Sequence, residues 1–94
     1  MAHSVTLTWA EVSPSDPATS FNVHRATASA GPFAVIGSPS VLTFIDSTVS
    51  AGITYWYEVT SVNSAGESGP SNEVNVTIPV SLPAVPTGLV AVAA

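Results

Sequence analysis

The sequence predicts an all-β sandwich, and alternation, chain breakers and composition each support this fold class. Apolar and polar residues alternate in several short runs, which is typical of strands with one buried face. Eight prolines and six glycines interrupt the chain too often for helices of ordinary length. Hydrophobic residues make up 46% of the 94 residues, so one small domain can bury a core. This content, with only 7% charged residues, argues against disorder.

The alternation places the strands in order along the chain. In the first strand Val5, Leu7 and Trp9 share one face, and in the longest strand Tyr55 and Tyr57 do so. Polar and turn-forming residues dominate the segments 11–20 and 63–71. The predicted strands occupy residues 4–9, 21–25, 33–36, 42–46, 55–62 and 73–78. Their inward side chains are predicted to form the core between two sheets, with Trp9 near its centre. The predicted core residues are Leu7, Trp9, Phe21, Val23, Tyr55, Tyr57, Val59, Val74 and Val76.

The end of the chain is organised differently from the predicted sandwich body, residues 1–78. Residues 79–86 contain three prolines and no polar alternation, which indicates an extended linker. Residues 87–94 are apolar almost throughout, and Leu89, Ala91 and Ala93 share one face. The sequence therefore predicts one more strand after the body should have ended.

Composition excludes several classes of function. The net charge is −5 and Arg25 is the only lysine or arginine, so neither nucleic acids nor anionic membrane surfaces are expected partners. The absence of cysteine excludes disulfides, thiol nucleophiles and zinc–thiolate sites. No apolar run is long enough to insert across a bilayer, and residues 1–4 show no features of a signal peptide.

The candidate catalytic residues all have simpler structural interpretations. His24 and Arg25 lie on a strand and are expected to be solvated, with the arginine stem over the sheet. Asp46 ends a strand, where an aspartate commonly accepts hydrogen bonds from the next turn. No carboxylate pair, metal-ligand spacing or serine-nucleophile motif is present. We therefore predict no enzyme activity, no metal and no cofactor.

Two apolar side chains on the longest strand can be interpreted either as a contact surface or as residues covered by neighbouring strands. Trp56 and Val62 are predicted to point away from the core. Exposed aromatic residues often mark a contact surface, but neighbouring strands can also cover such a residue. The sequence identifies neither a carbohydrate nor a protein ligand for this face.

Five segments resemble a fibronectin type III domain, particularly the bacterial members of that family. They are VTLTW, FNVHR, GPF, TFID and AGITYWYEVTSVNSAGESGPSNEV, in family order over residues 4–78. The resemblance implies an immunoglobulin-like sandwich of about seven strands, with Trp9 ending strand B. It also implies that Tyr55 is the tyrosine corner, whose hydroxyl satisfies an upstream backbone group at the E–F turn.

One segment departs from the family order. Family members open with strand A, a Pro-Thr-Gly-Leu-like stretch that precedes strand B. Here the matching residues are 86–94, at the opposite end of the sequence. The resemblance therefore implies that strand A is supplied by the C-terminal segment.

This displacement leads to the first functional hypothesis, a subunit of an extracellular or cell-surface filament. The linker 79–85 reaches at most about 24 Å, whereas a strand of about eight residues spans about 26 Å, so filling from within the same chain is disfavoured. Copies would instead join head to tail by donor-strand complementation. The donor residues are Thr87, Leu89, Ala91 and Ala93, and the acceptor edge is Val5, Leu7 and Trp9.

The alternative hypothesis is a spacer or binding module. The chain would then be an excerpt of a longer secreted protein, such as a polysaccharide-degrading enzyme or an adhesin. In both hypotheses the domain is non-enzymatic, because the sequence contains no catalytic constellation.

Overall fold

Seven β-strands make up the fold, and the computed structural model describes residues 3–11, 17–80 and 82–94. No helix is assigned in this part of the chain, which confirms the predicted all-β class. The strands are β1 (Val5–Thr8), β2 (Ser20–Ala26), β3 (Ala34–Gly37), β4 (Thr43–Asp46), β5 (Thr54–Asn63), β6 (Gly66–Glu67) and β7 (Val74–Thr77).

The strands form two antiparallel sheets. β1 and β4 make a two-stranded sheet in which Val5 lies opposite Asp46 and Thr8 opposite Thr43. The larger sheet has the order β3-β2-β5-β6, and β7 also pairs with β5. Because β2, β6 and β7 all pair with β5, this long strand is the centre of the larger sheet.

Alternation located every strand except β6, and the observed strand ends differ from the predicted ones by at most one residue. The sequence predicts a polar loop over residues 63–71, but Gly66 and Glu67 pair with the end of β5. A two-residue strand is too short for a period of two to be recognised. Within the predicted turn-rich stretch 11–20, residues 12–16 lie outside the described part of the chain.

The core lies between the sheets and is centred on Tyr57 and Val23, the largest fully buried side chains. Phe21 and Tyr55 are buried beside them, as their alternation predicts. These side chains come from β2 and β5, the paired central strands, so the larger sheet supplies most of the core.

Several other predicted core residues are less buried than expected. Trp9 lies just beyond β1 rather than at the centre, and its ring packs edge-on against Phe21 with centroids 5.5 Å apart. Val74 is 43% exposed, so its predicted burial is wrong. No described residue covers the gap between β1 and β7, which Val74 borders. Partly buried against the core are Leu7, Trp9, Val59 and Val76.

One side of the sandwich is closed by a glycine. A Cβ atom on Gly37 of β3 would lie 2.4 Å from the Phe44 ring of β4, which is closer than any side chain tolerates. The missing side chain therefore lets the two sheets meet at this side. The opposite side, between β1 and β7, has no such closure among the described residues.

The C-terminal segment leaves the body at the turn before β5. Ile78 is buried, and its carbonyl accepts a 2.9 Å hydrogen bond from the Gly52 N–H. Residues 82–94 are exposed throughout and form no strand within their own chain. The described molecule measures 83 × 24 × 17 Å because this segment extends away from the body. The predicted strand over residues 87–94 is thus unpaired in the single chain.

We expect Trp9→Ala to lower the free energy of unfolding by about 3 kcal/mol, the lower end of the range for an aromatic core residue, because Trp9 is only partly buried. Val35→Ala is a suitable control, since Val35 is 53% exposed and should change stability by less than about 0.5 kcal/mol. Urea unfolding followed by circular dichroism measures both effects. Equal midpoints for the two variants would contradict the assignment of Trp9 to the core.

Candidate functional site

A buried carboxylate joins the two sheets at one end of the core. Asp46 ends β4, and its Oδ2 accepts hydrogen bonds from the Arg25 guanidinium at 2.9 Å and the Tyr57 hydroxyl at 2.8 Å. Its Oδ1 accepts hydrogen bonds from the Thr48 N–H at 3.1 Å and the Thr48 hydroxyl at 2.7 Å. The turn contact is the one expected from the sequence. The contacts with Arg25 and Tyr57 were not foreseen, because they join distant parts of the chain.

Contacts within this cluster shift the pKa values of Asp46 and Tyr57. Burial raises the pKa of Asp46, but hydrogen bonds from Thr48, Arg25 and Tyr57 outweigh it, so the net pKa lies below the ordinary value of 3.8. Burial, followed by the hydrogen bond to Asp46, raises the pKa of Tyr57. The expectation that the Arg25 charge is solvated is wrong, because its guanidinium pairs with this carboxylate.

Tyr55 makes the hydrogen bond that a tyrosine corner requires. Its hydroxyl accepts a 2.9 Å hydrogen bond from the Ser50 N–H, upstream in the turn between β4 and β5. The ring is buried, and the Arg25 guanidinium carbon lies 5.1 Å from its centroid. The residue therefore anchors this turn to the larger sheet.

A second polar cluster lies on the outer face of the larger sheet. His24 Nε2 is 3.2 Å from the Thr60 hydroxyl and 3.6 Å from the Glu67 carboxylate. Asn22 Nδ2 donates a 3.0 Å hydrogen bond to Glu67. Hydrogen bonds from Asn22 and Thr60 lower the pKa of Glu67. His24 lies on the outer face of the sheet, as expected, but its side chain is only 21% exposed and is therefore less solvated than the sequence predicts.

Neither polar cluster provides a catalytic or metal-binding arrangement. Each joins one carboxylate to donors that satisfy it. The Thr60 hydroxyl lies against His24, but it is buried and donates its proton to Glu67, so it is not placed as a nucleophile. In the described residues, no group of three or more histidine, aspartate or glutamate side chains is placed to hold a metal ion. Trp56 is half-buried, which leaves both interpretations of that face open. None of the described segments is a helix able to span a membrane.

The open side of the sandwich contains a groove between β1 and β7. Its volume is about 110 Å³, and both apolar and polar side chains line it. The indole N–H of Trp9 is buried there without a hydrogen-bond partner among the described residues. The groove is lined by Leu7, Thr8, Trp9, Tyr57, Glu58, Val59, Ser71, Asn72 and Val74.

The predicted donor and acceptor residues are not in contact within one chain. Leu7 and Trp9 line the groove, whereas Val5 is packed against the core at the far end of β1. The proposed donor residues Thr87, Leu89, Ala91 and Ala93 are all exposed in residues 82–94.

Two antiparallel sheets packed around a tyrosine corner define the class of this protein as an immunoglobulin-like β-sandwich. The solved crystal structure of an Fn3-like protein from Clostridium thermocellum superposes with a TM-score of 0.69. It is 31% identical, and the match covers 84% of this chain and 80% of that one. This chain therefore belongs to the fibronectin type III-like family. No profile of a protein family matches the sequence.

Similar sequences occur inside much larger enzymes. An amylopullulanase of Thermoanaerobacter thermohydrosulfuricus is 38% identical over 86 residues, which cover 89% of this chain and 5% of that protein. An amylopullulanase of Thermoanaerobacterium thermosulfurigenes is 35% identical over 88 residues, which cover 92% of this chain and 4% of that protein. The chain thus spans only a small fraction of the length of these relatives.

We expect Tyr55→Phe to lower the free energy of unfolding by about 1–2 kcal/mol, because the Ser50 N–H loses its acceptor. Guanidinium unfolding measures the change. Hydrogen exchange should also show faster exchange of the Ser50 amide, whereas amides at the centre of β5 should keep their protection. An unchanged unfolding midpoint would contradict the anchoring role of Tyr55.

We expect Asp46→Asn to lower the free energy of unfolding by about 2–4 kcal/mol at neutral pH, because it leaves Arg25 without its carboxylate. The lowered pKa of Asp46 stabilises the fold above its ordinary value of 3.8, and this stability is lost as pH falls through the lowered value.

Unfolding curves recorded between neutral and acid pH test this dependence. Asp46→Asn should flatten the loss of stability below about pH 4. Glu67→Gln is the matched control, since Glu67 also has a lowered pKa but is exposed and should change stability little. If the stability of Asp46→Asn depended on pH as that of the wild type does, Asp46 would not be the group responsible for the loss of stability in acid.

Proposed function

We propose that this chain is a non-catalytic fibronectin type III module of a secreted polysaccharide-degrading enzyme, in which it holds other domains apart. The observation that carries this proposal is the similarity to two amylopullulanases over about nine-tenths of the chain. The matched segment is only 5% or less of either relative, as a repeated or accessory module would be. An extracellular location is part of the same proposal.

The described side chains support a mechanical role. The Asp46 carboxylate is held by Arg25 and Tyr57 inside the core, where it cannot reach a substrate. The outer cluster pairs His24 with Glu67 and provides no second carboxylate for glycoside hydrolysis. The module is therefore stiffened by its polar groups rather than activated by them.

A second candidate function is a filament subunit that joins other copies head to tail. The observation that favours it is that one molecule has both an exposed, largely apolar segment, residues 82–94, and a groove at the open side of its sandwich. Such an interface does not close on itself, so it produces linear arrays. Tandem modules and separate subunits would use the same contact between strands.

Exchange of modules tests the spacer function. We expect this chain, inserted in place of the matching segment of the Thermoanaerobacter thermohydrosulfuricus amylopullulanase, to preserve activity on the polysaccharide substrate. A glycine–serine linker of equal length should reduce that activity, because it behaves as a flexible coil. The Trp9→Ala module, weakened in its core, is the matched control and should lose activity at a lower temperature.

The isolated chain should release no sugar from the same polysaccharide. Hydrolysis by the chain alone would overturn the non-catalytic assignment. Equal activities with the folded module and the glycine–serine linker would overturn the spacer function.

A further inference from the structure

We propose that the outer face of the larger sheet around Trp56 is a binding site for a neutral glucan chain. The inference deepens the proposed function and rests on it for the choice of polysaccharide. Three observations carry it: an accessible indole, hydrogen-bonding side chains next to that indole, and a turn that forms one wall of the site.

Trp56 supplies the aromatic surface of the site. It lies on β5, the central strand, and faces away from the core because Tyr55 and Tyr57 on either side of it are buried. Trp56 is only half-buried, and its indole N–H makes no hydrogen bond within the described part of the chain. Unlike the indole N–H of Trp9, it is not buried, so it can donate a hydrogen bond to a ligand.

The side chains next to Trp56 on this face are polar. Asn75 of β7 lies directly opposite Trp56 and is exposed. Two positions along β5 in one direction, the hydroxyls of Thr54 and Thr77 are hydrogen-bonded to each other at 2.8 Å. Two positions along in the other direction lies the carboxylate of Glu58. Neighbours on one face are about 5 Å apart across strands and about 7 Å apart along a strand, so all these groups are within reach of a sugar seated on the indole.

The turn after β2 forms one wall of the site. β2 ends at Ala26, opposite Trp56, and the alanine methyl is too small to cover the indole. The Ala30 N–H donates a 2.9 Å hydrogen bond to the carboxylate of Glu73, which immediately precedes β7. Because β2 and β7 pair with opposite edges of β5, this bond carries the turn over β5 beside Trp56. The turn accounts for the partial burial of the ring, while the side toward β7 stays open.

These groups suit a neutral sugar better than an anion or a protein. A sugar ring has a face of C–H bonds, which the negative face of an aromatic ring attracts, and a rim of hydroxyls that donate and accept hydrogen bonds. The net charge of −5, with carboxylates at Glu58 and Glu73, disfavours an anionic ligand. A protein partner is typically held by several adjoining apolar side chains, whereas the strand neighbours of Trp56 are Asn75 and an alanine. The similarity to amylopullulanases makes a glucan the expected polymer.

Native gel electrophoresis in gels that contain pullulan, a neutral glucan, tests the binding. We expect pullulan to retard the wild-type chain. Trp56→Ala should weaken the binding by about 10-fold or more, because it removes the surface on which the sugar stacks. Circular dichroism and urea unfolding establish whether this variant is folded.

Asn75→Ala provides a second test that does not depend on the half-buried ring. Asn75 is exposed and its side chain makes no hydrogen bond within the described residues, so the body should fold unchanged. The loss of its hydrogen bonds to the sugar should weaken binding about 3- to 10-fold. Asn72→Ala is the matched control and should bind as the wild type does, because Asn72 is also exposed but lines the groove at the open side of the sandwich.

Proton–nitrogen correlation NMR locates the sugar on the molecule. Titration with maltotriose, a short neutral glucan, should shift the indole N–H signal of Trp56. The indole signal of Trp9, which is buried, should stay unchanged and so serves as an internal control. An anionic trisaccharide of galacturonic acid should shift neither signal.

Three results would overturn the proposal. One is a wild-type chain that pullulan does not retard. Another is an unmoved Trp56 signal, which would mean that neighbouring strands merely cover this residue. The third is equal weakening by Asn75→Ala and Asn72→Ala, which would place the sugar elsewhere.

The glucan site and the spacer function fail separately. A module that preserves amylopullulanase activity in the exchange experiment but does not bind pullulan contradicts only the glucan site. A module that binds pullulan but can be replaced by the glycine–serine linker without loss of activity contradicts only the spacer function.

Discussion

A carboxylate buried between two sheets requires donors from its surroundings, and Asp46 obtains them from Arg25 and Tyr57 of the larger sheet and from Thr48 in the following turn. Unpaired, the charge would be strongly destabilising in the core. Every donor must therefore be in place together, which fixes β4 against β2 and β5. Tyr55 extends this anchorage into the turn through Ser50. The small sheet is thus held to the large one mainly at one end.

This uneven attachment explains the shape of the open side. At the closed side Gly37 admits the ring of Phe44, and the sheets meet. At the other side β1 is an edge strand whose apolar residues are half-covered, and the sandwich remains open toward β7. Such an edge is an aggregation hazard unless something covers it.

The sequence predicts the fold well because the apolar–polar alternation that identifies a strand lies within a few consecutive residues. A period of two places Tyr55 and Tyr57 in the core without knowledge of their partners. The ion pair of Arg25 with Asp46 joins residues 21 positions apart on different sheets, so no local pattern reveals it. The burial of Val74 was wrongly expected because alternation identifies the inward face of a strand but not whether a neighbour covers it. The candidate groove likewise depends on the packing of two sheets.

The position of Arg25 also determines how susceptible the domain is to trypsin-like proteases, which cut after basic residues. It is the only such residue in the chain, and it lies within β2 between β3 and β5. A protease must bind its substrate as an extended and unpaired segment, so cleavage here requires the larger sheet to open first. The folded domain therefore offers these proteases no accessible bond. Cleavage of an unfolded copy after Arg25 would separate β1 and nearly all of β2 from the remaining strands.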